Sequence, residues 1–249
     1  MKRALAAAAA ALSYFTILPV PAQSAPDAYA LSFLPLVGAL VGALAGAAGY
    51  GAWLLTHSIL WCALVAWIVS IAVSGAIHLD GFLDCCDGVL ASTSVQRRLE
   101  ILRDPAHGTY ALVGMAMLSA VWIAGLSMLP PMRLPLALAF IESLARLAAV
   151  LNAWWQPYAR PAVTPAFSAR PSVPVVLIGA AVTLGFGWAL QPNALVAVAV
   201  AIALAALMSV WIARRLGGGL TGDCYGALVC LNIVITLPLV AAMLRSPAP

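Results

Sequence analysis

The chain has 249 residues, of which 64% are hydrophobic and 8% are charged, and its formal net charge is +4. Soluble globular proteins carry about 25% charged residues, so this composition excludes a soluble enzyme, a disordered tail and a disulfide-stapled secreted fold. It predicts an all-α polytopic integral membrane protein with a single membrane domain over residues 1–249. We interpret the small positive charge as a topology signal and not as affinity for nucleic acid.

Residues 4–20 form the first apolar run, which follows Lys2 and Arg3. The run is compatible with a secretory signal, a short transmembrane helix or an interfacial helix. If it does not cross the membrane, nine basic residues lie on the cytoplasmic side and two, Arg133 and Arg245, lie outside, as the positive-inside rule requires. We therefore expect an interfacial or re-entrant helix. The nine are Lys2, Arg3, Arg97, Arg98, Arg103, Arg160, Arg170, Arg214 and Arg215.

Seven further apolar stretches predict about seven transmembrane helices, because a bilayer core of about 30 Å requires roughly 20 residues per helix. In the first stretch, glycines recur every four residues at Gly38, Gly42 and Gly46, which predicts close packing against another helix. The stretches cover residues 31–55, 58–77, 108–129, 134–154, 173–190, 193–212 and 223–244.

An acidic segment, His78-Leu-Asp-Gly-Phe-Leu-Asp-Cys-Cys-Asp-Gly88, follows the second stretch. Asp80, Asp84 and Asp87 have the spacing i, i+4, i+7, which places them within an arc of about 60° on a helix. Carboxylates this close repel one another unless some are protonated or a cation lies among them. Oxygen ligands suit Mg²⁺, whose shell substrate phosphates can complete. The segment therefore predicts a Mg²⁺ site, against the alternative of a solvated helix face.

Two glycines of the segment and a later glycine-rich turn add candidates for substrate binding. Gly81 and Gly88 either let a substrate approach the backbone or serve helix packing. Residues 217–222 are rich in glycine and precede Asp223 at the start of the last apolar stretch. The turn lacks the Gly-Lys-Ser/Thr of a phosphate-binding P-loop. Asp223 is a candidate for the same site as Asp80, with stabilisation of its own helix N-terminus as the alternative.

A short amphipathic helix is predicted after the acidic segment, beginning at a capping box formed by Thr93 and Gln96 and stopped by Pro105. Its three arginines can hold phosphates or contact lipid headgroups, and both roles stay open. They are Arg97, Arg98 and Arg103. Asp104 follows the helix as a further candidate metal ligand. Residues 78–107 are thus expected to carry the active site at the cytoplasmic face.

Three other ionisable residues have no catalytic assignment from the sequence. Glu142 and Arg146 are four residues apart inside a predicted transmembrane helix, which favours a mutually neutralising structural pair. His107 lies near the acidic segment, but a lone histidine has no pattern that distinguishes a structural from a catalytic role, so it stays unassigned.

Six motifs resemble those of the cobalamin synthase family, the adenosylcobinamide-GDP ribazoletransferases, in sequence and in order along the chain, and together they extend over most of the chain. They are FTILPVP at 15–21, FLPLVGALVGAL at 33–44, HLDGFLDCCDG at 78–88, RRLEILRDPAHGTYA at 97–111, PYARP at 157–161 and GGLTGDCYGA at 218–227.

The resemblance implies a bacterial inner-membrane enzyme that depends on Mg²⁺. It would join α-ribazole, or its 5′-phosphate, to the cobinamide phosphate of adenosylcobinamide-GDP, releasing GMP and forming adenosylcobalamin or its 5′-phosphate. Asp80, Asp84 and Asp87 fit as metal ligands, and one of them or Asp104 fits as the base. Arg97, Arg98, Arg103 and Arg160 fit as ligands of the nucleotide phosphates. The sequence leaves open whether the protein is a monomer or a homo-oligomer.

Two alternative functions remain at this point. Residues 84–91 match the beginning of the motif of CDP-alcohol phosphotransferases, although Ser92 stands where that motif has arginine and its later acidic residues are missing. A cation-coupled transporter would also use clustered acids, but such sites usually lie near the membrane midplane between repeats. Here the acids lie at a predicted helix end, and no repeat is evident.

Overall fold

The structure is a computed structural model that describes residues 2–21, 25–159 and 169–245, so Arg160 lies outside the described residues. Those residues form α-helices and no β-strand, apart from an isolated bridge between Tyr158 and Leu220. This confirms the all-α prediction. The helices are α1 (Lys2–Phe15), α2 (Ala28–Leu31), α3 (Leu34–Thr56), α4 (Ile59–Val73), α5 (Ile77–Leu90), α6 (Val95–Ile101), α7 (Thr109–Ser127), α8 (Leu134–Asn152), α9 (Val173–Leu190), α10 (Leu195–Arg215) and α11 (Gly222–Arg245).

Six helices of the described residues are long and apolar enough to cross a membrane: α3, α7, α8, α9, α10 and α11. The remaining predicted stretch, 58–77, corresponds to α4. The α4–α5 pair passes the same criterion only jointly, and its two helices are bent by 90°. Helix α4 ends at Val73, so the predicted stretch extends four residues too far. Gly75 and Ala76 have φ angles of 60° and 57°, in the left-handed region, which ends α4 at Val73 and turns the chain into α5.

The 14 residues of α1 are fewer than a membrane crossing requires. The buried face of α1 includes Ala7, Ala11 and Phe15, which belong to a hydrophobic cluster with residues of α2, α3 and α8. After α1, the backbone N–H of Ile17 donates to the carbonyl of Val73 at 2.9 Å. The N-terminal segment is thereby attached to the end of α4, next to the acidic helix α5.

The centre of the bundle is the contact between α3 and α8. A Cβ at Gly38, Gly42 or Gly46 would overlap the backbone of α8, which confirms the predicted close packing. In the same region Glu142 and Arg146 form a buried ion pair, as predicted, and Ser70 donates a hydrogen bond to Glu142.

Hydrogen bonds to backbone carbonyls divide the helix ends into two groups. At one end, Arg215 bonds the last carbonyls of α5, and Leu220 pairs with residues 157–159. At the other end, Arg133 donates to the carbonyl of Leu190 and Arg245 to that of Met128. These are the two sets that the predicted topology separates, with the acidic helix in the first.

Candidate active site

Helix α5 carries the three aspartates and rests on α11. Most of its apolar residues, among them Phe82 and Cys85, are buried, and the aspartates lie on the remaining face. The side chain of Asp80 is 67% exposed and that of Asp84 is 15% exposed. One helix therefore offers carboxylates at two depths.

His107 lies between these two carboxylates. Its Nε2 is 3.9 Å from Oδ1 of Asp80, and its Nδ1 is 3.8 Å from Oδ1 of Asp84. One donor atom from each residue lies within 4.8 Å of the others, a separation suited to a metal ion. We refer to Asp80, Asp84 and His107 as the Asp–His cluster. The sequence analysis left His107 unassigned, and the signal for it was its position near the acidic segment, just before Gly108, the N-cap of α7.

Asp87 fixes the loop that carries His107. Its Oδ2 accepts a hydrogen bond from the N–H of Gly108 at 2.5 Å, and its Oδ1 accepts one from Ala111 at 3.0 Å. A carboxylate at this position satisfies free N–H groups of α7 and interacts favourably with the helix dipole. Both oxygens of Asp87 thus have protein partners, so the carboxylates that face His107 are Asp80 and Asp84. Metal ligation by Asp87 stays a prediction.

Asp223, in the first turn of α11, lies beside α5. A Cβ at Gly81 would be 2.6 Å from the backbone oxygen of Asp223, and Thr221 donates to Oδ2 of Asp223 at 3.0 Å. Helix α5 lies outside the six membrane-crossing helices, and there burial raises the pKa of Asp84 to about 7, with the charges of Asp80 and Asp223 adding to the increase. The structure therefore brings Asp223 within electrostatic range of the cluster.

The donor atoms of this region fit a hard divalent cation. Asp80 and Asp84 supply carboxylate oxygens, the ligands that Mg²⁺ prefers. Burial is the main cause of the raised pKa of Asp84, and the negative charges of Asp80 and Asp223, which a cation would neutralise, add to it. The imidazole of His107 is a weaker match for Mg²⁺ and a better one for a transition metal. His107 fits more readily as an electrostatic partner of the two carboxylates, because its nitrogens lie 3.8–3.9 Å from their oxygens.

The glycine-rich turn before Asp223 packs against residues 157–159. The N–H of Leu220 donates to the carbonyl of Pro157 at 2.9 Å, and the N–H of Ala159 donates to the carbonyl of Leu220 at 2.8 Å. A Cβ at Gly219 would be 2.7 Å from the Pro157 oxygen, which explains the need for glycine here. Residues 157–159 and the turn at 218–220, which belong to two motifs distant in the sequence, thus meet close to Asp223.

The guanidinium group of Arg98 already donates to backbone carbonyls, so it is not free to bind a phosphate. It is buried, and its Nε donates to the carbonyl of Ala91 and its Nη1 to that of Arg215, both at 3.0 Å. Arg215 in turn donates to the carbonyls of Val89 and Ala91. The two arginines cap the C-terminus of α5. Any phosphate contact of Arg98 competes with these bonds.

The other residues of this segment lie at the surface. Arg97 pairs with Glu100 at 2.8 Å, with the two side chains 60% and 63% exposed. Arg103 and Asp104 are also exposed, and Oδ1 of Asp104 accepts from the N–H of Ala106 at 3.0 Å. Asp104 belongs to a local turn and not to the Asp–His cluster.

The limits of α6 differ from the prediction. Its N-cap is Ser94, whose hydroxyl accepts from the N–H of Arg97 at 3.3 Å, and not Thr93. The helix ends at Ile101, before Pro105. Ser94 has the extended backbone conformation that an N-cap requires, so its hydroxyl reaches the first turn.

Gly81 and Gly88 serve packing, the second of the two roles left open for them. Gly81 allows α11 to approach α5 at Asp223. A Cβ at Gly88 would be 2.7 Å from Cγ of Leu102, the residue after α6. Neither close contact leaves room for a substrate at that Cα, so the predicted substrate contact is not supported at these positions.

The family model for cobalamin-5-phosphate synthase matches residues 7–241, nearly the whole chain. This chain belongs to the cobalamin-5-phosphate synthase family. It is 35% identical to the adenosylcobinamide-GDP ribazoletransferase of Azorhizobium caulinodans, over 90% of this chain and 91% of the relative. It is 34% identical to the enzyme of that name from Klebsiella pneumoniae, over 92% and 96% of the two chains. No solved structure gives a significant match.

Membership of the cobalamin-5-phosphate synthase family bears on the alternatives raised by the sequence. The matched relatives bear the name of a ribazoletransferase and cover the chain almost from end to end. Neither the CDP-alcohol phosphotransferase nor the cation-coupled transporter is favoured by these matches.

Proposed function

We propose that this chain transfers the cobinamide phosphate of adenosylcobinamide-GDP to α-ribazole or α-ribazole 5′-phosphate. The observation that carries the proposal is the family match over residues 7–241, which includes every motif of the candidate site. The products are adenosylcobalamin, or its 5′-phosphate, and GMP. The clustering of Asp80, Asp84 and Asp223 at one end of the bundle supports a phosphoryl-transfer site there.

The reaction exchanges one phosphorus–oxygen bond for another. A free hydroxyl oxygen of the ribazole ribose, other than the 5′-oxygen that carries the phosphate in α-ribazole 5′-phosphate, bonds to the phosphorus that carries cobinamide, and the bond from that phosphorus to the bridging oxygen breaks. GMP leaves with the bridging oxygen, and the hydroxyl proton passes to a carboxylate. A carboxylate of the Asp–His cluster is the first candidate for this base, and Asp104 is the second. Catalysis of this kind depends on in-line placement of the hydroxyl and on neutralising charge at the phosphates.

Asp80 and Asp84 would hold Mg²⁺, with Asp87 as a further predicted ligand. When bound, Mg²⁺ supplies charge neutralisation on the diphosphate oxygens. His107 is an electrostatic partner of the two carboxylates, and Asp87 holds the loop that presents His107. Arg97, Arg103 and Arg160 are the proposed phosphate ligands, because Arg98 is engaged by backbone carbonyls.

The bacterial inner membrane is the proposed location, with the site facing the cytoplasm. The distribution of basic residues supports this orientation, since the sequence predicts nine of the loop and terminal cations on the side of the Asp–His cluster. A lipid bilayer is therefore the permanent partner, and the substrates are the transient ones.

The direct test is incubation of the purified protein with adenosylcobinamide-GDP, α-ribazole and Mg²⁺, with detection of the corrinoid product and of GMP. Asp84→Asn is expected to abolish both products. Asp27→Asn is the matched control: Asp27 caps α2, and asparagine is an equally good N-cap. Release of CMP from a CDP-alcohol, or uptake into proteoliposomes without product, would contradict the proposal.

A further inference from the structure

A cavity of about 210 Å³ lies between α1 and the α5–α11 pair, and Asp80 of the Asp–His cluster lines it. Its walls carry four ring-bearing side chains. They are Tyr14, Phe15, His78 and Tyr225. The rings of Phe15 and His78 are stacked, with centroids 6.0 Å apart and an angle of 18° between their planes. The cavity thus offers flat aromatic surfaces directly beside the carboxylates.

The size of the cavity limits what it holds. Pockets that enclose a whole drug-sized ligand measure about 300–1,000 Å³. A cavity of about 210 Å³ therefore suits one ring system and not a corrinoid. Stacking on aromatic side chains is a general way of binding flat heterocyclic bases.

The position of the cavity selects between the two bases in this reaction. Asp80 of the Asp–His cluster lines it, and neither Lys nor Arg is among its described lining residues, so the cavity itself offers no cationic side chain to a phosphate. The base of α-ribazole is separated from its reacting hydroxyl by the ribose alone, whereas guanine is separated from the reacting phosphorus by a ribose and a phosphate. A ring cavity that borders the cluster therefore suits the base of α-ribazole.

His78 adds a polar group to the same wall. It is 7% exposed, and its Nε2 is buried without a hydrogen-bond partner among the described residues. An unpaired buried nitrogen is unfavourable, so a ligand or water that bonds to it gains binding free energy. His78 also lines a smaller cavity beside Glu142 and Arg146, which connects this wall with the buried ion pair.

We propose that this cavity binds the bicyclic aromatic base of α-ribazole. The base stacks among Tyr14, Phe15 and Tyr225, and the ribose extends past Asp80 to the Asp–His cluster, where a free ribose hydroxyl reacts. The identity of the ligand rests on the proposed function. The helix α1, too short to cross the membrane, thereby becomes one wall of the acceptor site.

Ligand protection of an introduced thiol tests the proposal without requiring turnover. Tyr14 is 44% exposed, and the five native cysteines are buried, so Tyr14→Cys provides an accessible thiol over little background. With α-ribazole at ten times its Kd, labelling by a maleimide is expected to slow about tenfold, because about a tenth of the sites stay free. GDP is expected to give no protection. Tyr50→Cys on α3, away from the cavity, is the control that neither ligand protects.

Kinetics provide a second readout. Tyr14→Ala is expected to raise KM for α-ribazole by about tenfold or more, since one stacking surface is lost, with a smaller change in KM for adenosylcobinamide-GDP. Tyr50→Ala should leave both constants unchanged. Protection by GDP in place of α-ribazole, or by neither ligand, overturns the proposal. If the parent protein makes no product, protection by α-ribazole still supports the cavity as its binding site, so the two proposals fail separately.

Discussion

Asp84 illustrates how one residue combines charge and burial. Its side chain is 15% exposed, against 67% for Asp80, and burial together with neighbouring carboxylates raises its pKa to about 7. A carboxyl whose pKa rises on folding destabilises the folded state wherever it is charged. That effect is absent below the unfolded pKa of about 3.9, grows as pH increases and is complete above pH 7.

Asp84→Asn is therefore expected to stabilise the metal-free protein at high pH. In EDTA, Tm should exceed that of the parent by a few degrees above pH 7, since about 1 kcal/mol moves Tm by about 2–4 °C in a chain of this size. The difference should vanish near pH 4, because Asp84 of the folded parent protein is then protonated and carries no charge, like the asparagine. Thermal unfolding in detergent across this pH range measures it. A Tm difference that does not change with pH, or a lower Tm at pH 8, would contradict the electrostatic explanation.

Asp223 has two competing roles that substitution separates. As a stabiliser of its own helix N-terminus it would contribute about 0.3–1 kcal/mol, and Asp223→Asn would lower stability slightly with normal turnover. As part of the site it would leave stability within error and lower turnover at least about tenfold, or roughly 1.4 kcal/mol. Its position beside Gly81 leads us to expect the second result. Thermal unfolding and initial rates, measured on one preparation, distinguish the two.

Residue types and spacing predict part of the site but not all of it. The helical arc of Asp80 and Asp84 follows from their four-residue spacing, whatever the rest of the fold. His107 joins them only because Asp87 binds the start of α7, a contact over 21 residues that no local pattern encodes. The same applies to Arg98, whose carbonyl partner on Arg215 lies 117 residues away.

At the scale of helices, the packing of α5 on α11 decides where Asp223 lies. Gly81 sits at the closest approach, and an added methyl group would collide with the backbone of Asp223, which cannot move aside as a flexible side chain does. The small-residue spacing of α3 allowed its close packing against another helix to be predicted, and in the structure that helix is α8. The contact of α5 with α11 uses Gly81 on one helix and Gly226 on the other, where a Cβ would be 3.0 Å from the carbonyl oxygen of His78, and these two glycines form no such repeat.

Gly81→Ala is accordingly expected to destabilise the protein by about 1–3 kcal/mol, typical of overpacking, and to lower turnover by displacing Asp223. Gly51→Ala is the matched control, because Gly51 is also helical and a Cβ there has no heavy atom within 4 Å. The control should be neutral or slightly stabilising, since alanine favours helix more than glycine does. Equal Tm values for the two variants would contradict this expectation, because they would show that α5 and α11 accommodate the added methyl group without loss of stability.

The break between α4 and α5 was not predictable from composition. The apolar run continues through residues 59–77, and hydropathy alone indicates one helix. What ends it is a pair of left-handed residues, and Ala76 is a type that seldom adopts this conformation. Tertiary contacts, including the bond from Ile17 to Val73, hold the turn in place.

For the whole molecule, the order of the helices and the positions of the basic residues indicate the same division of the loops between two ends of the bundle. If α4 counts as a crossing, the chain alternates between two ends, and contacts such as Arg98 with Arg215 and Arg245 with Met128 join residues of the same end. The sequence predicted these two sets from charge alone, since the positive-inside rule depends on loops and not on packing. Which end faces the cytoplasm is a separate question that only labelling answers.

Thiol labelling of intact cells is expected to place the Asp–His cluster inside. Glu100→Cys and Ala169→Cys lie at exposed positions on the end of the cluster, and Met132→Cys lies at the other end, where the native side chain is 74% exposed. The native cysteines are buried and add little background. An impermeant maleimide should label only the Met132 variant, and lysis should expose the other two. The reverse pattern would invert the orientation, and the diphosphate substrate would then have to meet the enzyme outside the cytoplasm.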